Sequence, residues 1–294
     1  MSSSSVPSHL DLRAFTPADV GALAALQRAE EADVRRWLGQ PNLVPERDCV
    51  LAEVGGQAVG YGYLVVEPAL ARGVLLAGAV DDASEVLNAL LGSAMERARA
   101  LGLGVLQVDV PETESDARSR FAAAGFSVVR WHRHLKRVEV QRTGTTLPAG
   151  AVVRLATRED IRALTELQNA AFTGSWGYSP NTVEEIDYRV FALPANPPDP
   201  VVLLEVGGQL VGYCWNHQER PGAPGIIDMV GVPPSRQGEG FGKAVTAAGI
   251  DQLVGMGATP IEMTVDSQNG SAGHVYESLG FVEVWRSVWY ELAL

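Results

Sequence analysis

Two stretches of the chain carry the same hydrophobic rhythm. Leu12-Arg-Ala-Phe-Thr16-Pro-Ala-Asp19 leads into Val20-Gly-Ala-Leu23-Ala-Ala-Leu26-Gln27, whose apolar residues fall at helical spacing. Val153-Arg-Leu-Ala-Thr157-Arg-Glu-Asp160 leads into Ile161-Arg-Ala-Leu164-Thr-Glu-Leu167-Gln168 in the same way. Each copy reads as a strand end, a Thr-x-x-Asp start in which Thr or Asp could cap, and an amphipathic helix. A second echo pairs Val50–Tyr61 with Val202–Tyr213, both with Glu-Val-Gly-Gly-Gln at the centre. That pattern predicts a hairpin: strand, Gly-Gly turn, strand. A third echo aligns Gly125-Phe126 with Gly280-Phe281. The repeat predicts an α+β fold of two homologous domains, 11–142 and 151–294. Residues 143–150, where Gly, Thr and Pro concentrate, form the expected linker, and residues 1–10 an expected disordered tail.

The copies are not equal. In the second, the apolar run Ile226–Val232 predicts a buried strand, and a helical pattern runs from Phe241 through Leu253. Between them stand Gly238, Gly240 and Gly242. Glycines let a chain turn tightly and let an anion approach the backbone without a Cβ in the way. Free N–H groups of the following helical turn then point at that anion. The first copy is shorter here and reads Val80-Asp81-Asp82-Ala-Ser-Glu85, with carboxylates where an anion would sit. The second copy is longer between its first helix and its hairpin. The extra residues fall within Thr173–Pro200, which holds Trp176-Gly-Tyr178, a helix-like segment over 181–191 and the proline-rich Pro194–Pro200.

Composition narrows the classes. The chain has 294 residues, 46% of them hydrophobic and 20% charged, which is ordinary globular usage. No apolar stretch is long enough to span a bilayer, and the serine-rich start lacks the features of a signal peptide. A cytoplasmic protein without a membrane partner is the expectation. The net charge of −12 argues against a nucleic-acid partner, which would need clustered Lys and Arg. It accommodates a cationic amine equally well as simple solubility. Cys49 and Cys214 are far apart and read as buried hydrophobes rather than a disulfide or a metal pair. No residue set suggests a metal.

The stretch Val232-Pro-Pro-Ser-Arg-Gln237-Gly-Glu239-Gly240-Phe241-Gly242-Lys243 resembles motif A of the GNAT (Gcn5-related) N-acetyltransferases, V-x-P-x-x-[QR]-x-x-G-x-[GA]. Downstream, Val265, Asn269, Ala272, Tyr276 and Gly280-Phe281 match V-x-x-x-N-x-x-A-x-x-x-Y-x-x-x-G-F at every fixed position. The chain is similar to tandem members of that family. The resemblance implies mostly antiparallel twisted sheets flanked by helices, and acetyl transfer from acetyl-CoA to a primary amine of a small molecule in a ternary complex. It implies no metal. Val230, Gly231 and Val232 would meet the pantetheine arm, and Gln237, Gly238, Glu239, Gly240, Phe241, Gly242 and Lys243 the pyrophosphate. Ala272 and Asn269 would adjoin the cofactor, although Asn269 equally suits a helix N-cap. Tyr276 would protonate the departing thiolate, or else be a core aromatic.

Many members carry a Glu where this chain has Ile226, so the general base is open. Asp228, two residues on and hence on the same strand face, is the first candidate, with His217 and Glu219 as alternatives. Trp176 and Tyr178 join His217 and Glu219 as candidate acceptor-binding residues. The first copy has Phe121 at the Tyr276 position and Glu114 at the Asn269 position, which implies a degenerate, non-catalytic domain. Three other readings stay open: acetylation of the cysteinyl amine of a glucosamine–inositol conjugate, which the likeness to tandem members of the family implies as an alternative; a protein or peptide N-acetyltransferase; and a non-catalytic acyl-CoA-binding protein. A monomer and a homodimer are both compatible with the sequence.

Overall fold

The computed structural model describes residues 9–40, 43–192 and 200–294; most of the serine-rich start, and Pro194 to Asp199 of the proline-rich segment, lie outside the described residues. The chain divides into two compact units, one running to Val129 and including Val288–Leu294, the other Arg130–Ser287. The strands of the first half are β1 (Leu10–Ala14), β2 (Cys49–Val54), β3 (Gln57–Glu67), β4 (Arg72–Ala79), β5 (Val105–Pro111) and β6 (Ser127–Arg137). Its helices are α1 (Val20–Gln27), α2 (Glu31–Leu38), α3 (Pro45–Asp48), α4 (Ser84–Ala100) and α5 (Ser115–Ala123). The second half supplies β7 (Ala151–Leu155), β8 (Val201–Val206), β9 (Gln209–Gln218), β10 (Gly225–Gly231), β11 (Ile261–Asp266) and β12 (Val282–Ala293). Its helices are α6 (Ile161–Phe172), α7 (Val183–Asp187), α8 (Phe241–Gly255) and α9 (Gly270–Ser278).

Both units are mixed α+β, with mostly antiparallel sheets. In the first, β1 to β5 lie in chain order and the end of β12 follows β5. In the second the order is β7-β8-β9-β10-β11, followed by the part of β6 from Arg130 on. One pair in each is parallel: β4–β5 and β10–β11. The units therefore trade strands. Residues 130–137, which the repeat assigns to the first copy, pair with β11. Val288, Tyr290 and Leu292 pack with Leu64, Leu106, Phe121 and Phe126 in the first unit's core. Alternation along a strand says which face is buried, not which sheet it joins.

The helix starts follow from the residues. The Asp19 carboxylate accepts from Thr16 N–H (2.7 Å) and from the Thr16 hydroxyl (2.8 Å), closing the entry turn of α1. Asp160 does the same for Thr157 at 2.8 and 2.9 Å. The likeness reaches further: Arg13 holds Asp19 and Glu53, and Arg154 holds Asp160 and Glu205. These guanidinium bonds keep both aspartates well below the usual carboxylate range.

In the second unit the sheet is covered on two faces. On one, Ala244, Val245, Ile250 and Leu253 of α8 pack on Val202, Leu204, Cys214, Ile227 and Met263. Gly249 is required by this packing, because a Cβ there would collide with the Cys214 sulfur. On the other, Leu164, Leu167, Ile186 and Val190 cover Leu203, Tyr213 and Trp215. The helix-like 181–191 segment resolves into α7 and a π-helical turn, Tyr188–Ala192.

Candidate active site

β10 is the spine of the site. Gly225, Ile227 and Gly231 are buried, whereas Ile226 and Asp228 are exposed. The expectation of a buried strand is thus corrected at two positions, Ile226 and Asp228, which are exposed. The β9–β10 register shifts between Ile227 and Met229, which makes Asp228 the extra residue of a bulge. Parallel pairing with β11 ends at Ile227↔Met263, while pairing with β9 continues to Gly231. Asp228 to Gly231 therefore have a strand partner on one side only, and the strands splay open there. Gly231 is glycine because a Cβ would strike the Tyr213 ring and the Ala171 methyl.

The loop after β10 has the form of an anion cradle. Gly238 and Gly240 sit at φ +84° and +83°, a region that side chains with a Cβ rarely adopt. Gly240 is the N-cap of α8, and no side chain caps that helix start. The first-turn N–H groups of Phe241, Gly242 and Lys243 thus lack intrahelical acceptors. A Cβ at Gly238, Gly240 or Gly242 would meet nothing within 4 Å. The loop is braced from below. Gln237 donates to the Val232 carbonyl (3.2 Å), and Arg236 bonds Glu239 (2.8 Å) while lying over the Phe241 ring (4.8 Å). The Gln237 amide, the Glu239 carboxylate and the buried Phe241 ring are therefore loop supports, and the backbone and Lys243 face outward.

Tyr276 lies on α9, 8% exposed, with its ring edge-on to Phe281 at 6.3 Å. Among the described residues its hydroxyl makes no hydrogen bond. Burial, and secondarily the nearby Cys214, raise its pKa, so the phenol keeps its proton at neutral pH. Asn269 is a helix cap, its side-chain oxygen accepting from Ala272 N–H at 3.3 Å. Ala272 is partly buried against the α8 core.

The pairing of β9 with β10 brings His217 opposite Ile226, next to the Asp228 bulge. His217 is half-buried. Glu219 follows the end of β9, exposed, 3.8 Å from Arg220. Trp176 and Tyr178 are half-buried in the α6–α7 connection. Trp176 stands edge-on to His132 (6.1 Å) with the Arg130 guanidinium 5.1 Å from its ring. Arg130 also reaches Asp266 at the end of β11 (3.7 Å). His132 and Arg130 belong to β6, on the far side of the repeat boundary, and no sequence signal ties them to this site. Gln168 was missed as well. It is buried, donates to the Met229 sulfur at 3.0 Å, and its carbonyl oxygen has no hydrogen-bond partner among the described residues.

In the first unit the same cleft is altered. Pairing of β4 with β5 ends at Leu75↔Val108, and a cavity of about 280 Å³ opens beyond it, lined by Leu75, Gly78, Val108, Asp109, Glu114 and Phe121. Phe121 packs on Phe126 and Tyr290 and has no hydroxyl to offer.

This geometry has relatives. The acetyltransferase (GNAT) family model matches residues 161–281. A mycothiol acetyltransferase of Thermobispora bispora is 33% identical over 94% of this chain and 96% of its own length. The chain belongs to the GNAT acetyltransferase family. A mycothiol acetyltransferase of Streptomyces coelicolor is 30% identical over 92% of this chain and 91% of its own. Among solved structures, a GCN5-related N-acetyltransferase from Sphaerobacter thermophilus aligns with TM-score 0.76 at 20% identity, covering 98% of this chain and 97% of that one. A tandem GNAT protein from the clavulanic acid biosynthesis pathway gives the same TM-score, 0.76, at 17% identity over 97% and 98% of the two chains. The protein is thus an acyltransferase with a tandem GNAT fold. No helix among the described residues is long and apolar enough to cross a membrane.

Proposed function

We propose that the second unit moves an acetyl group from acetyl-CoA to a primary amine of a small molecule by direct attack in a ternary complex. The glycine loop supports this most directly: its left-handed turns, its uncapped helix start and the open space at Gly238, Gly240 and Gly242 fit a pyrophosphate. The splayed edge at Asp228–Gly231 fits an extended pantetheine arm, which would pair with backbone groups that β11 leaves. Bound acetyl-CoA supplies an activated thioester whose leaving group is a thiolate.

The remaining work falls to this chain's residues. A backbone N–H near Val230–Gly231 would donate to the developing negative charge on the carbonyl oxygen. The Tyr276 hydroxyl, protonated and unengaged, would give its proton to the sulfur. An alkyl ammonium must lose a proton before it attacks; exposed Asp228 is the first candidate base, with His217 beside it. The first unit, with Phe121 in place of the phenol, is a non-catalytic partner. A second reading concerns the acceptor alone. Full-length likeness to proteins named mycothiol acetyltransferase favours the cysteinyl amine of a glucosamine–inositol conjugate.

The test is calorimetric titration with acetyl-CoA, followed by thiol release with a panel of amines that includes that conjugate. Tight binding with turnover on a small amine supports the proposal. Absence of acetyl-CoA binding sinks it, and turnover restricted to peptides replaces it with a peptide acetyltransferase.

A further inference from the structure

The π-helical turn after α7 presents a cation that no carboxylate among the described residues takes. Arg189 is half-buried, with its guanidinium 4.9 Å from the centroid of the Trp215 ring. Among the described residues it makes no hydrogen bond and no ion pair. The acids around it are engaged elsewhere: Asp187 holds Arg158 at 2.8 Å, and Glu185 accepts the Thr182 N–H at 2.7 Å. In a regular α-helix Glu185 and Arg189 would be neighbours at i, i+4. The wider π turn breaks that register and lays Arg189 across Trp215 instead.

Its place in the sheet matters. Trp215 pairs with Met229, the first β10 residue past the bulge, and both lie on the face away from α8. Tyr213, two residues earlier on the same face, has its hydroxyl 3.8 Å from the Met229 sulfur. Burial raises the pKa of that phenol, and Arg189 is close enough to pull it partly back down. The cation thus stands beside the stretch of β10 that β11 has left. Exposed Asp228 forms the bulge just before Met229, while on β11 Glu262 is paired with Lys136 and Asp266 with Arg130.

We propose that Arg189, stacked on Trp215, binds an anionic oxygen pair on the acceptor, so that the substrate is an amine that also carries a carboxylate or phosphate. The inference rests on the amine-acetyltransferase reading and specifies its substrate class, which excludes the glucosamine–inositol conjugate because that acceptor carries neither a free carboxylate nor a phosphate. A guanidinium over an indole face, with no hydrogen bond of its own, keeps its fork of N–H donors for a two-oxygen anion. Asp228, the bulge residue next to Met229, would receive the ammonium end. A zwitterion would then be read at both ends.

The experiment uses the full chain and matched acceptors differing in the anion: L-alanine against L-alaninamide, and O-phosphoethanolamine against ethanolamine. Calorimetry with CoA present, using N-acetyl-L-alanine and N-acetyl-L-alaninamide, gives a readout that does not need turnover. The anionic member of at least one pair should be preferred about tenfold or more, as loss of a charge-assisted bond predicts. Arg189→Gln should abolish that preference while leaving acetyl-CoA affinity and Tm in place, and Arg189→Lys should keep part of it. Equal treatment of the pairs, binding of neither probe, or a preference that survives Arg189→Gln overturns the proposal. A preference confined to phosphate or to carboxylate identifies the group. Failure of acetyl-CoA to bind would instead strike at the acetyltransferase reading itself.

Discussion

Gly242 separates the needs of the fold from those of the ligand. Unlike Gly238 and Gly240 it sits in helical backbone, and a Cβ there meets nothing within 4 Å. Gly242→Leu should therefore leave Tm within a few degrees and weaken acetyl-CoA binding by roughly tenfold or more, because the side chain would occupy the space above the free N–H groups. Differential scanning and calorimetry on one sample check both halves. Tyr276 gives the complementary result. Tyr276→Phe removes one hydroxyl that no described residue uses, so stability and acetyl-CoA affinity should hold while kcat falls by roughly 10²–10⁴. Since burial raises the phenol's pKa, a fall in rate on the acid side of neutrality would report the amine or its base, not Tyr276. Both residues were legible because their motif spacing is local. Arg189 was not: its meaning depends on Trp215, on another element.

Among elements, the two helix starts carry a prediction about acid. Asp19 and Asp160 are each held by an arginine and by the Thr that opens the turn. Their folded pKa values lie below the unfolded value of about 4. Stability from these groups is fully present above that unfolded value and is lost as pH falls through the folded pKa. Asp160→Asn should cost about 1–2 kcal/mol at neutral pH, the scale of a lost cap, and the gap from wild type should close below about pH 4. Denaturant melts at several pH values measure this; a gap that stays constant down to low pH would contradict it. Asn269 is the other element-scale case. If it is only the α9 cap, Asn269→Ala should lower stability by about 1 kcal/mol without changing acetyl-CoA affinity. The caps and hairpins were readable because their partners lie within a few residues. The π turn was not, since the helical period alone does not distinguish it from a continued α-helix.

At the scale of the whole molecule, the exchange of strands makes the C-terminus a structural part of the first unit. Removing Val288–Leu294 takes Val288, Tyr290 and Leu292 out of its core. At roughly 1.5–3 kcal/mol for each large apolar side chain, that loss approaches the whole stability of a domain. The truncated chain should lose hydrogen-exchange protection in β3–β5 and α4, and retained protection there would refute the assignment. The asymmetry of the units can be probed in the same way. Phe121→Tyr in a Tyr276→Phe background should restore no turnover, because a phenol alone does not replace the glycine loop that the first unit lacks.

What the sequence determined by itself is whatever short-range chemistry decides. The paired Thr-x-x-Asp starts, the Gly-Gly hairpins, the left-handed glycines before α8 and the placement of Tyr276 on α9 all follow from residues within a turn or two of each other. The fold class and the family followed from them. Tertiary structure decided the rest: which sheet receives residues 130–137 and 288–294, the bulge that sets Asp228 apart, and the meeting of Arg189 with Trp215 and of Trp176 with His132. Those are choices of partner between segments distant in the chain. A hydrophobic pattern marks which face must be covered, but only packing selects what covers it.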